Sequence, residues 1–247
     1  MKEAKTFEGD FFKILNLLKE GEKFSFSKYC DGEYAILRDV QITNCDGWKY
    51  RPEEDAIYGK ALLDSFKYND DGYYVGIMAP CCISMSKVQW MRDNVGVPEE
   101  RLTWANLFVN SNYKLFKEHF IPEFNNHDVI LISSKRTKLE NLPFKVEEHY
   151  GIGKTAWRDD YGLIDVLSNK DYKDKLFLFC AGPLGNMLAA RLWKVNKKNT
   201  YIDIGSTLNP WIVGNNRGYL KGRSTLNQTC VWSGKHIVSN TPIESKQ

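Results

Sequence analysis

Apolar positions along the chain change period in a regular order. Over DFFKILNLLKEG (10–21), Phe11, Ile14, Leu15 and Leu18 fall on one helical face, which predicts a helix with Asp10 as its N-cap and Gly21 as its stop. KFSFS (23–27) alternates as a strand does, and RPEEDAIYGKALLDSFKY (51–68) returns to helical spacing with Pro52 and acidic residues in its first turn. YYVGIM (73–78), DVILIS (128–133), KLFLFC (175–180) and TYIDIG (200–205) are short, apolar and largely β-branched or aromatic, as strands buried on both faces must be.

Helical patterns lie between these runs. NYKLFKEHFIPEF precedes DVILIS, DDYGLIDVLSN precedes KLFLFC, and GPLGNMLAARLWKV separates KLFLFC from TYIDIG. That alternation predicts an α/β fold, a single Rossmann-like domain over 1–247 with a mainly parallel sheet and helices on both faces. KLFLFC and TYIDIG are expected to be neighbouring parallel strands joined by the helix containing Met187 to Trp193. Ligands of such folds gather beyond the carboxyl ends of the strands, so the chemistry is expected there.

Composition narrows the function classes. The chain has 247 residues, 43% hydrophobic and 26% charged, with net charge +3, which indicates neither disorder nor a generic nucleic-acid binder. No apolar run reaches the roughly 18 residues of a membrane span, and MKEAKTFEGDFF has acids where a signal peptide has an apolar segment, so a cytoplasmic protein is expected. The six cysteines show no CxxC spacing and are expected as reduced thiols, while four scattered histidines give no zinc motif. The vicinal Cys81 and Cys82 have no partners in the sequence and are expected not to be catalytic.

Four stretches carry candidate chemistry. LFLFCAGPLGNMLAARL runs from strand straight into helix: Gly182 allows a tight turn, Pro183 suits the first helical position, and Gly185 lets a backbone or a phosphate come close. The unit reads either as a phosphate site or as a tightly packed connection. Asp203 in YIDIGSTLNPW is expected at the carboxyl edge, facing a polar cleft or capping a helix. NNRGYLKGRSTLNQ concentrates Arg217, Lys221 and Arg223 among glycines, as a segment closing over phosphates or a solvated tail. FSFSKYCDGEYAIL holds Asp31 and Glu33 around Gly32 just after a strand, where they form either an acidic turn or a ligand pair for a hard cation such as Mg²⁺ or Mn²⁺.

Two further stretches have plainer readings. HYGIGKTAW imitates the end of a phosphate-binding P-loop, but the position of the required first glycine is Glu148, and Lys154 reads as a solvated lysine. Asp159 and Asp160 read as the N-cap region of the next helix.

Two of these segments together resemble the GT-D fold glycosyltransferases, formerly a domain of unknown function (1792), which use a nucleotide sugar and carry an Asp-x-Glu motif. FSFSKYCDGEYAIL is similar to their R-F-G-D-G-E-F stretch, and AGPLGNMLAARLWKVNKKNTYIDIGS to a C-terminal pattern matched by Gly182, Pro183, Leu188, Ala189, Asp203 and Gly205. Lys28 stands where the family usually has arginine, Cys30 replaces a glycine and Ser206 a histidine. The resemblance implies a transferase that moves sugar from a nucleotide-sugar donor, expected to be a UDP-sugar, to a glycan or glycoconjugate acceptor. It implies a divalent cation, Mn²⁺ or Mg²⁺, on Asp31 and Glu33 as the metal and catalytic residues. The implied donor-binding residues are Lys28, Gly32, Gly182, Pro183, Gly185, Asp203, Lys221 and Arg223. A non-catalytic nucleotide or sugar-phosphate binding protein is the alternative, whereas a Rossmann-type oxidoreductase lacks its G-x-G-x-x-G.

Overall fold

The structure is a computed structural model that describes residues 7–44, 47–80, 83–109, 112–212, 214 and 220. In chain order its first half comprises α1 (Phe7–Lys19), β1 (Ser25–Lys28), α2 (Asp31–Leu37), β2 (Ile42–Thr43), β3 (Lys49–Tyr50), α3 (Pro52–Lys67), β4 (Tyr73–Ile77), α4 (Met85–Asn94) and β5 (Leu102–Trp104). Then come α5 (Tyr113–Leu115), a π-helical stretch (Phe116–Phe120), α6 (Ile121–Phe124), β6 (Asp128–Ser134), β7 (Glu148–Ile152), α7 (Ala156–Asp159), α8 (Leu163–Ser168), β8 (Lys175–Phe179), α9 (Pro183–Val195), β9 (Thr200–Asp203) and α10 (Asn209–Ile212).

Seven strands form one sheet in the order β5-β4-β1-β9-β8-β6-β7, with every neighbouring pair parallel. β2 and β3 make a separate antiparallel hairpin. β8 and β9 are neighbours, Leu178 opposite Ile202 and Phe179 opposite Asp203, and α9 is the crossover between them, as the sequence pattern predicts.

The alternation in β1 explains how helices come to cover both faces. Phe26 points into an aromatic layer, 5.5 Å from Phe108, which in turn meets Phe120 at 4.9 Å, and Phe120 meets Phe11 of α1 at 4.9 Å between ring centroids. Ser25 and Ser27 point the other way, onto α9. Their small side chains let that helix come close enough for the Ser25 hydroxyl to donate to the Ala189 carbonyl at 2.9 Å. Ten of the thirteen α9 residues are buried, so the helix is a core element rather than a surface one.

Several elements differ from the sequence reading. Asp10 lies inside α1, which begins at Phe7, and its carboxylate accepts from the Thr103 hydroxyl at 2.7 Å, tying the helix to β5. Asp159 and Asp160 do not cap α8, which starts after Gly162; Asp159 ends α7, and Asp160 accepts the Gly153 N–H at 2.8 Å. α7, a single turn after Lys154 and Thr155, has no counterpart among the helical patterns of the sequence. The π-helical stretch sits just before Pro122, whose ring and missing N–H a regular α-helical turn would not accommodate. No helix among the described residues is long and apolar enough to cross a membrane.

Because Leu188 is fully buried on α9, truncation to alanine is expected to cost about 2–5 kcal/mol in urea-denaturation experiments. Val166 on α8 is 51% exposed, and its truncation is expected to stay within about 0.5 kcal/mol. Equal effects at the two positions would contradict the described packing of α9.

Candidate active site

The carboxyl ends of β1 and β9 lie side by side in the sheet and deliver Lys28 and Asp203 to the same edge. Asp203 is the last residue of β9 and is almost fully buried. One of its oxygens accepts the Gly205 N–H at 2.9 Å and the other the Lys28 N–H at 3.5 Å. Burial raises Asp203 to a pKa of about 6, opposed by the Lys28 charge and by these two N–H groups. Gly205 has φ of +55°, and the space a side chain would take there is filled by the Lys28 ammonium end. A glycine there suits the positive φ and leaves the lysine end its present place.

Asp31 and Glu33 are not in a turn. Cys30 is the N-cap of α2, Asp31 is its first residue and Glu33 its third, so the acids occupy the positive end of a short helix. The Glu33 carboxylate reaches back to accept the Cys30 N–H at 2.9 Å, half of a capping box, and is buried. Burial pushes the Glu33 pKa up, with Lys28 and the Cys30 N–H pulling it down. Asp31 is exposed. Residues two apart on a helix do not face one another, so the pair diverges: one carboxylate into the chain, the other into solvent.

Gly32 lies within this first turn. A side chain there would meet the Trp48 ring at 3.0 Å and the Asn44 amide at 3.2 Å, so the missing Cβ seats the β2–β3 hairpin on α2. Half-buried Cys30 is held as a thiol by burial, at about 11, and the Lys28 ammonium lies 3.7 Å from its sulfur. Cys180, at the end of β8, is also free and half-buried.

The start of α9 completes the edge. Gly182 is the N-cap with φ of +54°, and Pro183 is the first helical residue, where its lack of an N–H costs nothing. Gly185 does not open the helix to a phosphate: its Cα faces inward, where a side chain would stand 3.2 Å from Phe179 Cβ and 3.6 Å from the Asp203 carboxylate. One position on, buried Asn186 donates through its single amide nitrogen to the Ser27 hydroxyl at 3.0 Å and to the Lys28 carbonyl at 2.7 Å. No sequence motif marks Asn186; the small serines of FSFS are compatible with a helix packed closely on that face.

Thus Lys28, Asp203, Glu33, Gly182 and Pro183 share one sheet edge, with Asp31 facing out beside them. Lys221 and Arg223, like Arg217, Cys81 and Cys82, lie outside the described residues. Among the described residues no three His, Cys, Asp or Glu side chains converge as a ligand cluster. Among the described residues of this edge, Asp31 offers an exposed carboxylate that fits a divalent cation, with substrate phosphate oxygens and water as further ligands, a mode Mg²⁺ commonly adopts.

No family model and no curated protein matches the sequence. Three solved structures match the fold. One is a glycosyltransferase of domain of unknown function 1792 from Streptococcus sanguinis, at 12% identity and a TM-score of 0.57, over 80% of each chain. Two others of domain of unknown function 1792, one selenomethionine-substituted and one described as having a distinct glycosyltransferase fold, align at 15% identity and a TM-score of 0.56, over 80% of this chain and 77% of theirs. The all-parallel sheet and its surrounding helices are therefore those of this distinct glycosyltransferase fold.

Proposed function

We propose that this chain is a glycosyltransferase that moves a sugar from a nucleotide-sugar donor, of which a UDP-sugar is the expected kind, to a glycan or glycoconjugate acceptor. The observation that supports this reading is the meeting, at one sheet edge, of the α9 N-terminus, the Lys28 ammonium and an outward-facing Asp31. In the transfer the bond from the sugar's anomeric carbon to the diphosphate oxygen breaks, and that oxygen keeps the electron pair. The anomeric carbon bonds to an acceptor hydroxyl oxygen, whose proton leaves to a base.

Each residue of the edge has a task in that step. Lys28 and the positive end of α9 stabilise the charge that grows on the leaving diphosphate. Asp31 would hold a divalent cation, Mn²⁺ or Mg²⁺, which when bound neutralises the diphosphate. Glu33 fixes the first turn of α2 through its cap to Cys30 and so orients Asp31. Asp203 holds Lys28 and the Gly205 turn in place. Lys221 and Arg223 are proposed to close over the donor, and Gly32 and Gly185 serve the site by seating the hairpin and α9.

The second reading is a nucleotide or sugar-phosphate binding protein without catalysis. The internal satisfaction of Glu33 and Asp203 favours it, since only one carboxylate of the edge is left open. Metal-dependent release of UDP from UDP-sugars without acceptor is expected for the transferase; saturable binding with no turnover would select the second reading.

The two acids are expected to fail differently. Asp31→Asn leaves stability within about 0.5 kcal/mol of wild type, because the side chain is exposed, yet weakens Mn²⁺-dependent donor binding in calorimetry. Glu33→Ala loses the capping interaction and about 1 kcal/mol of stability. Unchanged metal-dependent affinity in Asp31→Asn would remove the cation from the reading.

Asp203 gives a pH signature. With its folded pKa raised to about 6, Asp203 holds its proton in the folded chain where the unfolded chain has lost it, so its contribution to stability falls as pH rises from about 4 to about 6. Asp203→Asn cannot ionise. Its stability relative to wild type is expected to rise by roughly 2 kcal/mol between pH 4 and pH 7. A difference that stays flat across that range would refute the buried, raised carboxyl.

A further inference from the structure

α2 and its C-cap present Asp31, Tyr34 and Arg38 along one outer side, at spacings of three and four residues, over a length on the order of 10 Å. α4 lies beside it and contributes Lys87 and Trp90. The Tyr34 and Trp90 rings meet edge to face, with centroids 5.5 Å apart and planes at 87°. The Arg38 guanidinium stands 4.8 Å from the centre of the Trp90 ring and donates to the Tyr34 hydroxyl at 3.3 Å. The Lys87 ammonium lies 5.6 Å from the centre of the Tyr34 ring. Both cations are exposed and both rings half-buried.

The charges in this strip are unanswered. Of the other cations over aromatic rings, Arg92, Arg158, Lys170 and Lys197 each hold a carboxylate as well, Lys13 donates to the Glu100 carbonyl, and Lys117 over Tyr113 has no carboxylate among the described residues; what sets the strip apart is two such cations on two rings that touch each other. Among the described residues Arg38 and Lys87 pair with no carboxylate. Two cations held in place by rings rather than by acids leave their positive potential to solvent, and the rings beside them offer apolar surface. A ligand that answers both features has an apolar face and a negative charge.

We propose that Tyr34, Arg38, Lys87 and Trp90 form the acceptor subsite, and that the acceptor is a saccharide bearing a carboxylate or phosphate close to the sugar being extended. The proposal rests on the glycosyltransferase reading above, because the strip begins at Asp31, the outward carboxylate of the candidate active site. A sugar ring packs against the exposed parts of Trp90 and Tyr34, and its anionic group is held by Arg38 and Lys87. The edge-to-face rings offer no pair of parallel faces for successive bases, which sets the strip apart from a single-strand nucleic-acid platform.

The test is calorimetric titration of the full chain, at low salt, with four probes. These are a glucuronate-containing tetrasaccharide, a tetrasaccharide with a terminal sugar 6-phosphate, a neutral tetrasaccharide, and an oligothymidylate of eight nucleotides. At least one acidic saccharide is expected to bind ten-fold or more tightly than the neutral one, and which of the two does so identifies the anionic group. Arg38→Gln with Lys87→Gln is expected to erase that preference, and Trp90→Ala to weaken all three saccharides; thermal melting of each variant verifies its fold. Equal affinity for acidic and neutral saccharides in wild type overturns the proposal, as does a preference that survives in the folded double variant. Oligothymidylate binding as tightly as the best saccharide also overturns it. Titration of wild type with UDP-sugars and Mn²⁺ is read separately: failure there defeats the transferase reading, whereas the saccharide series alone decides the subsite.

Discussion

The seating of α9 on β1 is the contact on which the candidate site depends. Ser25 and Ser27 are small enough to bring the helix backbone onto the strand, and buried Asn186 ties the helix to the last two residues of that strand. The same helix begins at Gly182 and Pro183, so its positive end is fixed relative to Lys28 by hydrogen bonds rather than by loop conformation. A larger residue at either serine would lift the helix and part the two. Functional groups placed by strands and helices in this way hold their geometry better than groups placed by loops.

The electrostatics of the edge follow from that seating. Glu33 and Asp203 are both buried, and burying carboxylates is unfavourable unless a cation or N–H groups answer them. Lys28 is the chain's own answer: its charge lowers the pKa of Glu33, of Asp203 and of the Cys30 thiol alike. The lysine keeps its place because Gly205 leaves room for it. One internal cation therefore serves two acids, and the third acid, Asp31, remains turned toward whatever binds.

The sequence made the β8–α9–β9 unit legible because its strands are apolar runs and its turn has Gly and Pro where a helix start needs them. α2 was not legible. Asp-Gly-Glu is turn chemistry, and an N-cap cysteine carries none of the usual capping signal, so a seven-residue helix looked like a loop. The edge strand β7 escaped for a different reason: its face is half exposed, and EHYGI is too polar for a run expected to be buried. β5 is only three residues long. At the site, the location of Lys28 and Asp203 at the edge could be read from strand ends, whereas the divergence of Asp31 from Glu33 depended on a helix the pattern did not show.

The pairing of β1 with β9 has a consequence for how the chain acquires its site. Ser25 sits opposite Tyr201, so one flank of the third strand in the sheet is completed by a strand made about 175 residues later. During synthesis β1 can join β4 early, but its other edge stays bare until Thr200–Asp203 has emerged and α9 has been laid across it. Such distant parallel pairings close slowly and expose unpaired backbone while they wait. Lys28 and Asp203 become neighbours only in that closing step. A nascent chain can thus hold much of the sheet before the Lys28–Asp203 contact exists.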